Sequence, residues 1–124
     1  SDKENVDIMM LGGRLVVKSL SVRDSYTQDG LRYVNCSKMF CSCDGLDVEA
    51  GVTTAFVEEA RITDAMMNTA AKIFLLVDSS KIGKSGYGKI CDIGRIDVLI
   101  TDSGISQSVK ERIEEEGVQV IIAE

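Results

Sequence analysis

Apolar residues recur along this chain in short runs, and each run has the length of a β-strand. Successive residues within a run are apolar, a pattern that is typical of strands covered on both faces of a sheet. The runs span residues 6–11, 39–43, 73–77, 98–100 and 118–123. The pattern therefore predicts five strands in a sheet that is buried on both sides.

Helical periodicity separates the second and third of these runs. Residues 55–71 place their apolar side chains on one stripe, which predicts an amphipathic helix. The helix is expected to begin at Thr53 or Thr54, because a hydroxyl there can accept from backbone N–H groups that lack a partner. Residues 24–35 show a less regular pattern and are also interpreted as a helix.

The sequence before the last run indicates one more helix. Ser108 and Glu111 have the spacing of a capping box, and Gly117 is a typical stop signal. Strands that alternate with such helices predict an α/β fold, in which a mostly parallel sheet is flanked by helices through right-handed connections. Residues 1–124 are expected to form a single domain with its own core.

The charge of the chain argues against direct contact with nucleic acid. Its formal net charge is -6 at pH 7, which repels a polyanion. Lys81, Lys84 and Lys89 lie in a glycine-rich stretch and suit one small anion; solvated loop side chains are the alternative for Lys84 and Lys89. No apolar stretch is long enough to span a bilayer, and residues 1–7 are unlike a signal peptide. We therefore expect a cytoplasmic protein without a membrane partner.

The cysteines do not predict a metal centre. Cys36, Cys41, Cys43 and Cys91 match no zinc spacing, and the chain contains no histidine. Cys41 and Cys43 are expected to share one face of a strand, where free thiols are commonly buried. We interpret all four as reduced core thiols and expect neither a metal nor a cofactor.

Polar residues and glycines follow four of the apolar runs. They include Gly12, Gly13 and Arg14 after the first run, Asp44, Gly45 and Asp47 after the second, Ser79, Ser80 and Lys81 after the third, and residues 101–104 after the fourth. Ligands of parallel sheets lie beyond the carboxyl ends of the strands. A surface turn is an equal explanation for any one of these segments, but four on one edge favour a binding site.

The side chains of these segments suit a phosphorylated polyol. The carboxylates of Asp44 and Asp47 can accept hydrogen bonds from sugar hydroxyls, and Thr53 adds a hydroxyl. Arg14, Lys81 and glycine amides suit a phosphate or a carbonyl oxygen. No glycine-rich loop leads into a helix to form a strong phosphate cradle.

Four segments at these positions also resemble a known family. They are residues 11–15 (LGGRL), residues 44–47 (DGLD) leading to 51–54 (GVTT), residues 78–83 (DSSKIG) and residues 96–102 (IDVLITD). Their order and spacing, over nearly all of the chain, are similar to the C-terminal sensor domain of DeoR-family bacterial transcription regulators. Each motif alone is short, and the four in register carry the resemblance.

The resemblance implies a fold, an effector and a wider context. The fold is that of ribose-5-phosphate isomerase, glucosamine-6-phosphate deaminase and CoA transferases. The effector is a phosphorylated sugar, and the protein is a homo-oligomer that contacts DNA through an N-terminal helix-turn-helix. The helix-turn-helix and the family's first strand and helix, with their phosphate loop, are expected to be missing from this chain, so that the sensor domain is incomplete.

The predicted ligand-binding set contains eight residues, and no catalytic residue is predicted. The set is Gly12, Gly13, Arg14, Asp44, Gly45, Asp47, Thr53 and Lys81. Structural alternatives remain for several positions. Asp47 is suited to stabilising a turn, Gly12 and Gly13 to backbone with positive φ, and Asp102 to capping the last helix. Arg14 fits an interface as well as an anion site.

Two other functions compete with an effector-binding domain of a repressor of sugar-metabolism genes. The aspartate motif and the Ser-Lys pair are similar to a sugar-phosphate isomerase, but residues 52–59 lack the glycine-rich loop with its lysine and the glutamate base of that enzyme. A pure oligomerisation module is the other alternative, because sheet surface left uncovered promotes association.

Overall fold

The computed structural model describes residues 14–16, 21–23 and 35–123. In chain order the strands are β1 Arg14–Val16, β2 Ser21–Arg23, β3 Cys36–Cys41, β4 Gly45–Asp47, β5 Gly51–Thr54, β6 Ala70–Leu76, β7 Gly88–Cys91, β8 Val98–Thr101 and β9 Gln119–Ile122. The α-helices are α1 Val57–Met67 and α2 Gln107–Glu115. Short 3-10 turns span Ser79–Lys81 and Ile93–Arg95.

A parallel sheet with the strand order β3-β6-β8-β9 forms the centre of the domain. Its register aligns Cys41 with Leu75, Leu75 with Leu99, and Leu99 with Val120. Four of the five predicted strands are therefore confirmed, with ends shifted by at most three residues. The fifth, residues 6–11, lies outside the described residues. The predicted α/β class with a mostly parallel sheet is confirmed.

A second sheet was not predicted by the apolar runs. Strands β4, β5 and β7 pair antiparallel in the order β4-β5-β7. Gly51 ends the turn between β4 and β5 with a φ of 88°, a left-handed conformation that favours glycine. A side chain at Gly51 would also collide with the carbonyl of Cys91. Strands β1 and β2 form a separate antiparallel pair.

Both helices begin at positions other than those predicted. Thr53 and Thr54 are wrong as caps of α1, because both belong to β5 and are buried; the N-cap position is Phe56, with no side-chain cap bond. Ser108 is wrong as the cap of α2, because Ser106 accepts from the N–H of Val109 instead. The helix predicted over residues 24–35 lies outside the described residues except for Asn35.

The core lies on one face of the parallel sheet. Met67 of α1 and Ile113 of α2 join Ile73, Leu75 and Leu99 in a single apolar cluster. Leu75 has no exposed surface, and Leu99 and Ile113 are each 1% exposed. Burial of such side chains is the main contribution to stability in a domain of this size.

The opposite face of the sheet is apolar and open in part, although Val98 of β8 is buried there. Phe40, Leu76 and Ile121 are 62%, 42% and 40% exposed, and the rings of Phe40 and Phe74 stack at 4.7 Å. The prediction that every strand is covered on both faces is therefore wrong within the described part of the chain. Both faces carry apolar residues in every described run, but among these runs only β8 has buried residues on both faces.

Two neighbouring leucines test this assignment of faces. Leu75→Ala removes a fully buried side chain and is expected to lower the free energy of unfolding by about 3 kcal/mol. Leu76→Ala, the matched control on the open face, is expected to cost about 1 kcal/mol. Urea denaturation followed by circular dichroism measures both. Equal losses would contradict the assignment.

Candidate functional site

Parallel pairing brings three polar loops to one edge of the sheet. Asp44 follows β3, the segment 78–81 follows β6, and the segment 102–104 follows β8. A cleft of about 360 Å³ opens at the ends of the central strands. Its lining consists of Leu76, Val77, Asp78, Ile100, Thr101, Asp102 and Ala123. The predicted position of the site, beyond the carboxyl ends of the strands, is thus a concave surface with polar loops around it.

The loop after β6 is a tight turn built around Asp78. One oxygen of its carboxylate accepts from the backbone N–H of Ser80 at 2.9 Å and from the Ser80 hydroxyl. The N–H of Lys81 donates to the carbonyl of Asp78 at 3.1 Å. These bonds lower the pKa of the Asp78 carboxyl below its ordinary value of 3.8, and the bond from the Ser80 hydroxyl has the largest effect. The carboxylate therefore holds the turn at neutral pH, and its contribution is lost as the pH falls through the lowered pKa.

The loop after β8 is bound to the loop after β6 by Asp102. Its Oδ2 accepts from the N–H of Ser79 at 2.9 Å, and its Oδ1 accepts from the N–H of Gly104 at 2.8 Å. These contacts lower the pKa of the Asp102 carboxyl. The hydrogen bonds from the side chain and the N–H of Ser79 have the largest effects, and the bond from the N–H of Gly104 has the next largest. The alternative that Asp102 caps the last helix is wrong, because Ser106 occupies that position.

Lys81 lies beside the hairpin of β4 and β5. Its neighbour Ile82 forms a parallel bridge with Leu46, and the N–H of Gly83 donates to the carbonyl of Leu46 at 2.7 Å. This register brings the backbone of Lys81 next to Gly45, while the Lys81 side chain is half-buried. The structure thus brings together two of the predicted residues that lie in separate motifs.

Gly45 and Thr53 support the loop that leads into β7. The Thr53 hydroxyl donates to the carbonyl of Gly45 at 3.2 Å and accepts from the N–H of Gly86 at 2.7 Å, and Thr53 is 2% exposed. A side chain at Gly45 would lie 2.5 Å from the carbonyl oxygen of Lys84. Both residues hold backbone segments together; their contact with a ligand stays a prediction.

The two aspartates of the hairpin also bind backbone. Asp44 Oδ2 accepts from the hydroxyl of Thr54 at 2.9 Å and from the N–H of Ala55 at 3.0 Å. Asp47 Oδ2 accepts from the N–H groups of Glu49 and Ala50 at 3.1 and 2.8 Å, so Asp47 does stabilise a turn. Asp44 is exposed at the strand edge and is the better placed of the two to meet a ligand.

The remaining predicted residues are described only in part. Arg14 belongs to β1, and its backbone is paired with Arg23 of β2. Gly12 and Gly13 lie outside the described residues. Lys89, one of the three lysines of the glycine-rich stretch, forms an ion pair with Asp92 at 2.7 Å. The charge of Lys89 is therefore matched by Asp92, whereas the charge of Lys81 acts on Asp78 in the turn beside the cleft.

The cysteines differ in burial more than predicted. Cys36 is exposed, Cys41 and Cys43 are half-buried, and Cys91 is buried. Cys41 ends β3, so the expectation that Cys43 shares the strand is wrong. Burial raises the pKa of Cys41 and Cys91 to about 11 and that of Cys43 to about 12. No cluster of three metal-ligating side chains exists among residues 14–16, 21–23 and 35–123.

Comparison with known proteins identifies the family. The DeoR C-terminal sensor domain matches residues 1–103. The chain belongs to this family. It is 35% identical over 121 residues to the putative aga operon transcriptional repressor of Escherichia coli O157:H7, a match that covers 98% of this chain and 45% of that protein.

Other relatives of the DeoR sensor domain are transcription regulators as well. The HTH-type transcriptional regulator GlpR of Haloferax volcanii is 30% identical over 120 residues, which are 97% of this chain and 47% of that protein. The HTH-type transcriptional repressor GlcR of Bacillus subtilis is 28% identical over 124 residues, 100% of this chain and 48% of that protein. The chain spans about half the length of these relatives.

Membership of the DeoR family confirms two predictions made from sequence motifs. The chain has the fold class of this sensor domain, and the domain is regulatory, not catalytic. No helix of residues 35–123 has both the length and the apolar character needed to cross a membrane.

The sequence analysis did not predict the contact between Asp102 and Ser79. An aspartate directly after one strand and a Ser-rich turn directly after its neighbour are the only sequence signal for it.

The differing burial of the thiols in the DeoR sensor domain predicts selective alkylation. Iodoacetamide at pH 8 is expected to modify Cys36 first, because it is exposed. Thiols with a pKa of about 11 or above are ionised to only about one part in a thousand at that pH, and the thiolate is the reactive species. Peptide mass spectrometry over time measures the order. Equally fast modification of Cys91 would contradict it; urea should remove the difference.

Proposed function

We propose that this chain is the effector-binding domain of a repressor of sugar-metabolism genes and that its effector is a phosphorylated sugar. The observation that carries the proposal is the juxtaposition at the sheet edge. Lys81 follows the Asp78 turn, and its backbone lies beside Gly45, next to the exposed carboxylate of Asp44. Asp78 and Asp102 line the cleft at this edge, and the cation of Lys81 and the carboxylate of Asp44, on the loops beside it, match the two halves of a phosphosugar.

The overall charge makes the local cation important. A net charge of -6 repels a phosphate dianion at long range, so binding needs a cation close to the phosphate. The half-buried Lys81 lies in the turn that Asp78 and Asp102 hold in place. We assign the phosphate to Lys81, with help from Lys84, and the sugar hydroxyls to Asp44.

The names of relatives support this class of effector. The lactose phosphotransferase system repressor of Staphylococcus epidermidis is 29% identical over 107 residues, which are 86% of this chain and 42% of that protein. Its name refers to a sugar system that works through phosphorylation. Together with the aga operon repressor, it supports a sugar-derived ligand for this domain.

The proposed contact with DNA belongs to a helix-turn-helix of the whole protein. Relatives are named HTH-type regulators, and the acidic charge of this chain disfavours DNA contact of its own. We propose that the protein is a cytoplasmic homo-oligomer whose helix-turn-helix pairs bind an operator. Effector binding then shifts the population of subunit arrangements and with it the spacing of those pairs.

A pure oligomerisation module is the second candidate, and one observation favours it. Phe40, Leu76 and Ile121 form an open apolar face on the parallel sheet. Apolar patches of this kind often mark contact surfaces. In this case the domain would associate without responding to any phosphosugar.

A binding experiment with two lysine variants tests the proposal. Calorimetric titration with D-glucose 6-phosphate, D-fructose 6-phosphate and D-ribose 5-phosphate is expected to find one ligand that binds better than its unphosphorylated sugar. Lys81→Ala should weaken that binding by about tenfold or more, because a hydrogen bond to a charged group contributes about 1.5–3 kcal/mol. Lys89→Ala, whose lysine pairs with Asp92, is the matched control and should change binding less than about twofold.

Three results would count against the phosphosugar. These are equal affinity for phosphorylated and free sugar, equal loss in Lys81→Ala and Lys89→Ala, or no binding of any phosphosugar while the protein still self-associates. The last result would favour the oligomerisation module.

A further inference from the structure

Strands β6 and β8 are joined by an aspartate at each end of β8. Asp97 precedes β8, and its Oδ2 accepts from the backbone N–H of Ile73 at 2.7 Å. Asp102 follows β8, and its Oδ2 accepts from the N–H of Ser79 at 2.9 Å. The two contacts join the same pair of strands with the same chemistry, but at opposite edges of the sheet.

Only the contact of Asp102 reaches the predicted site. Ser79 is the first residue of the turn Ser79–Lys81, so Lys81 lies two residues beyond the atom that Asp102 holds. The other carboxylate oxygen of Asp102 accepts from the N–H of Gly104 at 2.8 Å. One carboxylate therefore fixes the loop after β6 and the loop after β8 at the same time.

Gly104 lets the two loops approach this closely. A methyl group on its Cα would collide with the Ser79 hydroxyl and would lie 2.9 Å from Asp102 Oδ1. Such a contact requires a side chain or a loop to move. The close fit of Ser79, Asp102 and Gly104 thus depends on glycine at this position.

We propose that Asp102 is a positioning residue for effector binding. By holding Ser79 it fixes the turn Ser79–Lys81 against the loop after β8 and keeps the ammonium group of Lys81 at the sheet edge. This inference rests on the proposed function, in which Lys81 binds the phosphate. Both oxygens of the Asp102 carboxylate accept backbone hydrogen bonds, so the proposed role of Asp102 is to hold the loops and not to bind the phosphate.

The carboxylate is required because it accepts on both oxygens. An asparagine has one acceptor oxygen and an N–H₂ group that only donates. Asp102→Asn can satisfy Ser79 or Gly104 but places a donor against the other N–H. Loss of a charge-assisted bond to a backbone amide frees the turn without removing any part of the core.

Asp102→Asn and Asp97→Asn form a matched pair for the test. Both variants weaken one aspartate contact between β6 and β8, and both are expected to lower the urea midpoint. For the phosphosugar that binds best among D-glucose 6-phosphate, D-fructose 6-phosphate and D-ribose 5-phosphate, Asp102→Asn should weaken binding about tenfold. Asp97→Asn should change it less than about twofold, because its contact lies at the other edge.

Amide hydrogen exchange gives a readout that needs no ligand. In Asp102→Asn the N–H groups of Ser79 and Lys81 should exchange about tenfold faster than in the unaltered protein, whereas in Asp97→Asn the increase should be confined to Ile73. Unchanged exchange at Ser79 and Lys81, or equal loss of binding in both variants, overturns the positioning role. Absence of binding to the unaltered protein refutes the proposed function instead, and exchange alone then decides whether Asp102 orders the turn.

A second pair of variants tests the same contact without altering the carboxylate. Gly104→Ala should weaken phosphosugar binding and speed exchange at Lys81, because the added methyl displaces Ser79. Ser79→Ala removes the colliding hydroxyl but also that hydroxyl's own bond to Asp102, so the single Ser79→Ala variant is the reference for the double variant. Gly104→Ala should cost at most half as much affinity, on a logarithmic scale, in the Ser79→Ala background as in the unaltered protein. An equal cost in both backgrounds would overturn the role assigned to this contact.

Discussion

The parallel pairing of β6 between β3 and β8 determines where the three polar loops of the candidate site lie. Parallel strands end at the same edge, so Asp44, the Asp78 turn and the Asp102 loop are neighbours although they are far apart in sequence. The pairing itself depends on burial of Leu75 and Leu99 against the two helices. The core thus fixes the register, and the register places the residues of the site.

Four aspartates stabilise the turns and loops near that edge through hydrogen bonds. Asp44, Asp47, Asp78 and Asp102 each accept from at least one backbone N–H of a turn or a neighbouring loop. Backbone N–H groups at the ends of strands need acceptors, and these carboxylates supply them alongside backbone carbonyls. The acidic residues of this chain are therefore partly a requirement of its turns. Beside these aspartates lie Lys81, in the turn after β6, and the exposed carboxylate of Asp44.

Sequence patterns predicted the parallel sheet well because its strands are continuous apolar runs. The antiparallel sheet of β4, β5 and β7 was missed, since its strands of three or four residues mix glycine and threonine with apolar positions. The same error misplaced the start of α1. Thr53 and Thr54 look like helix caps in the sequence, but tertiary contacts with Gly45, Gly86 and Asp44 hold their hydroxyls in β5.

The position of the candidate site could be predicted from the sequence because the ends of the strands could be predicted. Asp44 follows one apolar run directly and Lys81 lies four residues after another, so the rule for parallel sheets located them. The role of Asp102 was not predictable in this way, because its partner Ser79 is 23 residues away and belongs to another loop. The structure excludes its alternative role as a helix cap, because the hydroxyl of Ser106 accepts from the N–H of Val109.

The contact of Asp102 also links the site to α2. From Asp102 to Ser106 the chain has only three intervening residues, and hydrogen bonds occur along most of this path. Asp102 accepts from Gly104 through its side chain and from Ile105 through its carbonyl, and Ser106 caps the first turn of α2. The turn that contains Lys81 is therefore joined to α2 by a short hydrogen-bonded path. Contiguous connections of this kind are the physical means by which a binding site can bias a packed helix.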